Sequence, residues 1–381
     1  MRIGLVVPHI FMQDAILPNV IFAPGKLALT LAESLQKSGQ DVTLFTPGPV
    51  KTPAVNRTAD LKYFENELKV RGDDYLSLLR KHPFTFVTLS RQTQSEIIAD
   101  AISMANDNQL DIIHIFTNEE DIALPMAKLS RKPVIFTHHD PYNFLTKYKN
   151  VFPKYANLNW VSLSLAQRRG MPKGTNWIAN VYNGLPKTEY RPNYHPTGEY
   201  IAYLGRIIHA KGVHLAIRAV NEYNRLNGMR LKLKIAGKHY AGKKDEYWTR
   251  QILPELSGDI EYAGYLESHE QRQAFLADSK ALIVPSVFEE PFGMVMIEAL
   301  ACATPVIGLR SGAIPEVIKN GQTGLVVDKG KNEKELITNL STAISGVSRI
   351  DRKACRRDFE QRFTSEHMAE GYIKAYKTLI R

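Results

Sequence analysis

The chain alternates short apolar runs with longer stretches whose apolar residues return every three or four positions. RIGLVV (2–7) is a continuous, partly β-branched run and reads as a buried strand. Gly25 then opens KLALTLAESLQKSG, with Leu27, Leu31 and Leu35 at helical spacing and Gly39 as the stop. DVTLF (41–45) is a second strand, FTFVTL (84–89) a third, and SEIIADAISMAND (95–107) a helix. DIIHIF (111–116) reads as strand and EEDIALPMAKLS (119–130) as a helix started or kinked by Pro125. KPVIFTHHD (132–140), WVSLS (160–164) and NWIANV (176–181) are further strands.

EYRPNYHPTGE (189–199) has two prolines, a glycine and no apolar period, so it reads as a linker. The alternation then restarts. Strands are expected at 200–205, 231–237, 260–264, 281–286, 305–309 and 323–327. Helices are expected at 213–224, near 244–254, at 269–277 and 294–302, and finally at 332–345, 351–362 and 365–379. Strands alternating with helices predict parallel sheets covered on both faces, hence an α/β fold of two αβα domains. Such sheets bind ligands beyond the carboxyl ends of their strands.

Composition agrees with this picture. The 381 residues are 44% apolar and 23% charged, as in an ordinary soluble globular protein of two domains. No apolar run reaches the roughly 18 residues that span a bilayer. The N-terminus reads as a first strand, not a signal peptide. Two cysteines, Cys302 and Cys355, sit at no metal spacing and fit a reducing, cytoplasmic compartment.

The net charge of +10 adds a question about partners. It suits an acidic partner, such as nucleic acid, anionic lipid or a phosphorylated substrate, and equally a merely solvated basic surface. The stretch 141–188 carries Lys147, Lys149, Lys154, Arg168, Arg169, Lys173 and Lys187 and no acid. Peripheral association with an anionic membrane, at its inner face, is therefore left open. Nucleic acid is not expected, because no recognition motif is present and the basic residues are dispersed.

Several chemistries are excluded by their spacing. No two of the 24 glycines lie two apart, so the dinucleotide fingerprint is absent. GKHYAGKK (237–244) has the phosphate-loop spacing, but Lys244 stands where Ser or Thr would hold magnesium. There is no Asp-x-Asp to clamp a metal and no G-x-S-x-G elbow. His209 and His214 read as surface or cap residues rather than metal ligands.

The informative stretch is VPSVFEEPFGMVMIEALACATPVIGLRSGAIPEVIKNGQTGLVVD (284–328). A strand ends near Ser286, a loop carries Glu289, Glu290, Pro291, Phe292 and Gly293, and a helix starts near Met294. A helix start with close backbone approach at glycine is an anion site. Glu290 lies just before that start and Glu298 lies in the second turn, where carboxylates can take hydroxyls beside the anion. Phosphate on amides with hydroxyls on carboxylates describes a nucleotide sugar.

At these residues the chain resembles the retaining glycosyltransferases of glycosyltransferase family 4. The resemblance implies the GT-B fold, two Rossmann-like αβα domains facing each other across a cleft. YLGRIIHAKGVHLAIRA (203–219) resembles the family's first strand–loop–helix of the donor domain, with Arg206 and Lys211 where the family grips the donor diphosphate. EEPFGMVMIEA resembles its Glu-x₇-Glu signature. It implies Glu290 on the donor sugar, backbone amides of Phe292, Gly293 and Met294 on sugar and phosphate, and Glu298 on the ribose. IAGK (235–238) and YAGYL (262–266) resemble the loops of the base pocket, and 311–327 the family's closing run.

The N-terminal half is similar but looser. PGKLALTLAESLQKSGQDVTLF (24–45) implies Gly25 against the donor phosphates. PVIFTHHDP (133–141) implies a histidine lining the active site, His139 by its spacing from Pro133 and Thr137, with His138 as the alternative. NVYNGLP (180–186) resembles the turn before the linker. The domains are then 1–193 and 194–363, with a final helix at about 364–381 returning to the first. Pro24, Ala303 and Ala313 depart from the family's usual glycines, and 50–82 has no counterpart.

The expectation is a retaining glycosyltransferase that moves a hexosyl group from a nucleotide-diphosphate sugar to an acceptor hydroxyl. UDP is the favoured nucleotide, and no cofactor or metal is required. Arg206, Lys211 and the helix start at Gly293 would stabilise the departing diphosphate. Domain closure would exclude water. His139 would position the donor sugar and Glu290 would orient it. A sugar-nucleotide epimerase or hydrolase on the same fold is the alternative enzyme. A non-catalytic sugar-nucleotide or anionic-surface binder is the alternative of another class. Acceptor and oligomeric state are not legible.

Overall fold

The computed structural model describes residues 1–12, 22–117, 121–239 and 245–380. Two compact units divide the chain: Met1–Asn183 with Ser365–Arg381, and Gly184–Thr364.

The first unit is built on seven parallel strands. They are β1 (Arg2–Val6), β2 (Asp41–Thr46), β3 (Val55–Thr58), β4 (Ile112–Thr117), β5 (Val134–His138), β6 (Asn159–Ser162) and β7 (Trp177–Asn180), in the order β3-β2-β1-β4-β5-β6-β7. In β1, Leu5 stands between Leu44 of β2 and His114 of β4, and Ile3, Leu5 and Val6 are fully buried. A strand covered on both faces needs a continuous apolar run rather than an alternating one.

Two readings in this half are corrected. FTFVTL is not a strand. It belongs to the helix Pro83–Asn106, whose first turn holds Pro83. The buried positions Phe86, Ser90, Thr93, Gln94, Ile97 and Ile98 follow the helical period, while Phe84 is 84% exposed. The stretch 50–82 supplies the edge strand β3 and two helices, Lys62–Arg71 and Tyr75–Lys81. Phe64, Leu78 and Phe86 close a small core there with Ile10 from the loop after β1. The expected helix at 119–130 reduces to Ala123–Met126 and a further turn, with Glu119 and Glu120 outside the described residues.

The last helix, Ser365–Leu379, belongs to the first unit. Tyr376 meets His114 Nδ1 at 2.8 Å, His114 Nε2 meets Thr137 Oγ1 at 2.9 Å, and Tyr372 donates to Thr137 Oγ1 at 3.2 Å. These polar contacts are fully buried, with the Phe116 ring against those of both His114 and Tyr372.

The second unit is built on six parallel strands. They are β8 (Tyr200–Leu204), β9 (Lys232–Ala236), β10 (Ile260–Gly264), β11 (Ala281–Val284), β12 (Val306–Leu309) and β13 (Gly324–Val327), in the order β10-β9-β8-β11-β12-β13. It begins earlier than residue 194. The Leu185 amide donates to Phe363 O at 2.9 Å, and Arg356 donates to Tyr190 O at 2.8 Å. The first part of the expected linker is thereby bound into this unit. Among the described residues, no helix is long and apolar enough to cross a membrane.

Candidate functional site

Both sheets reverse strand order once, and such a switch point leaves a crevice beyond the strand ends. In the second unit the reversal lies between β8 and β11. The loops leaving those two strands carry Arg206 and Lys211 on one side and Glu290 on the other. The Lys211 ammonium forms an ion pair with Glu290 Oε1, although 79 residues separate them. Ser286 donates to the same oxygen at 2.9 Å, and the Lys211 ammonium lies 5.3 Å from the Phe288 ring centroid. The Glu290 side chain is only 7% exposed and that of Lys211 21%, so the pair is poorly screened.

Backbone contacts fix the two loops together. Val287 and Phe288 both donate to Ala210 O at 3.1 Å. Gly212 has φ +72°, and a Cβ there would stand 2.1 Å from Pro285 O, so only glycine lets the loops approach this closely. Ala313 donates to Glu290 O at 2.8 Å and Ser311 to Phe288 O at 3.0 Å, which anchors the acid loop from the β12 side.

The helix Met294–Ala301 follows directly. Its first residues are preceded by Gly293 at φ +89°, and no side chain caps it. The amides of Gly293 and Met294 are bonded to no other described residue, so this helix start can receive an anion. The helix Val213–Asn227 differs, because the Tyr247 hydroxyl caps its start by accepting from His214 N at 3.1 Å. The same hydroxyl meets His214 Nδ1 at 2.8 Å, and burial lowers that imidazole to a pKa of about 4. His214 is therefore neither a surface residue nor the cap: it is buried in the first turn, and its amide is the group that Tyr247 caps.

Arg206 is exposed, and among the described residues its guanidinium has no hydrogen-bond or ion-pair partner. Phe292 contributes backbone only, since its ring is buried 6.0 Å from that of Phe363. Glu298 is half-buried and accepts from the Tyr190 hydroxyl at 3.3 Å. The loop after β9 touches the end of β10: Gly237 donates to Gly264 O at 2.9 Å and Tyr262 to Gly237 O at 3.0 Å. Tyr240–Lys244 of the GKHYAGKK motif lie outside the described residues.

In the first unit the histidines separate clearly. His138 is fully buried, ringed by Tyr142, Tyr148 and Phe152 at about 5 Å, and burial lowers its pKa to about 4. His139 lies just past the end of β5, partly exposed, with its ring 4.3 Å from that of Phe116. Its Nε2 has no hydrogen-bond partner among the described residues. Burial, with His138 and His114 nearby, holds it neutral, well below its ordinary pKa. β5 is an interior strand, and His139 follows its C-terminal end with Nε2 buried, as the Nε2 of His138 also is. Gly25 does not open its helix, which spans Ala23–Lys37 with Pro24 in its first turn. The Gly25 amide is engaged with Phe22 O at 3.2 Å, and a Cβ would stand 2.7 Å from Met12 Sδ.

Ser286, Phe288 and Tyr190 escaped the sequence reading, because each becomes informative only through a partner distant in the chain. Among the described residues no group of three His, Cys, Asp or Glu side chains is arranged to hold a metal ion.

Comparison with known proteins gives these sites a context. The family model for glycosyl transferases group 1 matches residues 187–358, and that for glycosyltransferase family 4 matches residues 25–180. The lipopolysaccharide 1,2-N-acetylglucosaminetransferase of Salmonella typhimurium is 28% identical over 216 residues, 54% of this chain and 55% of that protein. The chain thus spans about half the length of such curated relatives. Among solved structures, sucrose-phosphate synthase from Thermosynechococcus elongatus superposes with a TM-score of 0.72 at 18% identity, covering 100% of this chain and 99% of that one. Anabaena HepE, solved in complex with UDP and glucose, superposes with a TM-score of 0.68 at 16% identity over 100% of both chains. These likenesses establish the GT-B fold.

Proposed function

Because the chain belongs to the glycosyltransferases that the group 1 and family 4 models describe, we propose that it transfers a hexosyl group from a nucleotide-diphosphate sugar to an acceptor hydroxyl with retention. The observation that carries the reading is the Lys211–Glu290 pair at the switch point, beside the uncapped helix start at Gly293. UDP is the favoured nucleotide, and the UDP complex of a protein with the same fold supports it.

Arg206, Lys211 and the amides of Gly293 and Met294 take the donor diphosphate. Bond breakage concentrates negative charge on the leaving phosphate, so preorganised donors there lower the barrier. Glu290 accepts from hydroxyls of the donor sugar, and Glu298 from the ribose. The acceptor oxygen attacks C1 on the face that the phosphate leaves, the C1–O bond to phosphate breaks, and the acceptor proton passes to the leaving phosphate oxygen. His139, held neutral, positions the donor sugar by hydrogen bonding without adding charge. Close backbone approach is the role left to Gly25. The charge is balanced by protein cations, so a metal is not required.

Incubation with UDP-, GDP- and ADP-sugars and a panel of hydroxyl acceptors tests this, with the product's anomeric configuration read by NMR. Acceptor-dependent donor consumption with retention is expected. Donor loss that ignores the acceptor would favour a hydrolase or epimerase instead.

A second reading concerns location. The acid-free stretch 141–188 also exposes Phe144, Leu145 and Leu165, by 52%, 39% and 56%. Apolar side chains among cations suit the inner, anionic face of a membrane, and we assign the protein a peripheral cytoplasmic place there. Sedimentation with vesicles rich in anionic lipid at low salt should carry the protein down. No shift against neutral vesicles would overturn the assignment.

A further inference from the structure

Tyr190 is 4% exposed, and its phenol donates to Glu298 Oε1 at 3.3 Å across 108 residues of sequence. Its backbone is fastened to the same helix that carries Glu298. Arg356 Nη1 donates both to Tyr190 O, at 2.8 Å, and to Ala301 O, at 2.6 Å, at the last turn of Met294–Ala301. The Arg356 side chain is itself 8% exposed and paired with Glu360 at 2.8 Å. The Tyr190 ring is held from the other side by His269, edge-on at 4.6 Å, whose Nε2 meets Glu189 O at 2.9 Å. The ring therefore has little freedom, and its hydroxyl reaches the acid from a fixed direction.

We propose that Tyr190 is a positioning residue for Glu298, setting the rotation of the carboxylate that meets the ribose hydroxyls. The inference rests on the assignment of Glu298 to the ribose given above. A carboxylate on a long side chain samples many orientations, and a buried donor on one oxygen leaves the other with a defined direction. Burial and the charge of Glu298 both push the phenol above its ordinary pKa, so it remains a donor across the working pH range. Tyr190 touches no ligand in this scheme. Its effect reaches the nucleotide only through Glu298.

The test compares a nucleoside diphosphate with its 2′,3′-dideoxyribose analogue by calorimetric titration. UDP, GDP and ADP are tried first, and the tightest is carried forward into wild type, Tyr190→Phe, Glu298→Ala and the double variant. Wild type should prefer the ribose form, and Glu298→Ala should abolish that preference. Tyr190→Phe should reduce the preference by roughly three- to tenfold, and should have no such effect when Glu298 is already alanine. Equal weakening of both ligands by Tyr190→Phe, or an unchanged preference, would overturn the positioning role while leaving Glu298 in place. Absence of any ribose preference in wild type would instead remove the Glu298 assignment and the proposal with it, as would binding of none of the three nucleotides.

Discussion

Lys211 and Glu290 meet in an ion pair that joins the loop after β8 to the loop after β11, at the point where the strand order of the second sheet reverses. The pair sets two needs against each other. It holds the crevice together before the donor arrives, and it places a cation where a diphosphate must be received.

Removal of the cation should be severe. Lys211→Ala is expected to lower transfer by roughly a hundredfold or more, since a preorganised charge on the leaving group is lost and Glu290 is left poorly compensated. Ser286→Ala removes one hydrogen bond to Glu290 and should cost less than about tenfold. Initial rates of nucleoside diphosphate release in the presence of acceptor decide this. Equal effects of the two substitutions would contradict the assignment.

The two glycines that flank the helix Val213–Asn227 make an internal comparison. Gly212 and Gly228 both have left-handed φ, +72° and +61°, but a Cβ at Gly212 meets Pro285 O at 2.1 Å while one at Gly228 meets nothing within 4 Å. Gly228→Ala should cost about 1 kcal/mol and leave donor binding intact. Gly212→Ala should cost roughly 2–4 kcal/mol and weaken donor binding, because the loop bearing Lys211 must move. Urea denaturation with a nucleotide titration measures both.

Acid should weaken the first unit before its carboxylates titrate. His114 and His138 are buried, which lowers their pKa values to about 3 and about 4 from the ordinary 6.5. The unfolded chain then binds protons that the folded chain refuses, so stability is full above pH ~6.5 and falls as pH drops toward those lower values. Between pH 7 and pH 5.5 these two contribute a loss of roughly 2.5 kcal/mol together. Since His139 is likewise held neutral by burial, His114→Gln should shallow the slope by about a third in urea titrations at pH 5 to 7.5. An unaltered slope would exclude His114 as a contributor.

The same histidine reports on the returning helix. Tyr376→Phe takes the hydroxyl from His114 Nδ1 in a fully buried setting. A cost of about 1–3 kcal/mol is expected for the unsatisfied nitrogen. The loss should appear in the unfolding of the first unit, measured by hydrogen exchange, and not in nucleotide affinity.

Buried parallel strands were legible because each needs a continuous apolar run, as the wholly buried ALIV of β11 shows. The edge strand β3 was not, since VNRT pairs on one side only and leaves Val55 62% exposed. FTFVTL misled because aromatic and β-branched residues favour strands locally, whereas the stripe from Phe86 to Ile98 is set by tertiary packing. At the site, Arg206, Lys211, Glu290 and Glu298 announced themselves by charge and motif. Their partners did not: Ser286 and Tyr190 are ordinary polar residues until the fold brings them to Glu290 and Glu298. Spacing alone left the histidine pair open; His138 ends β5 inside an aromatic cluster, and His139 follows it against the Phe116 ring.

In the proposed donor site, protein cations and a helix start of the second unit grip a nucleoside diphosphate. Thermal melting of the intact protein with UDP, GDP and ADP, each with and without EDTA, tests it most directly. UDP should raise the midpoint by mass action, EDTA should leave the rise unchanged, and Arg206→Ala and Lys211→Ala should each diminish it. Stabilisation by none of the three, or only with an added divalent metal, would contradict it.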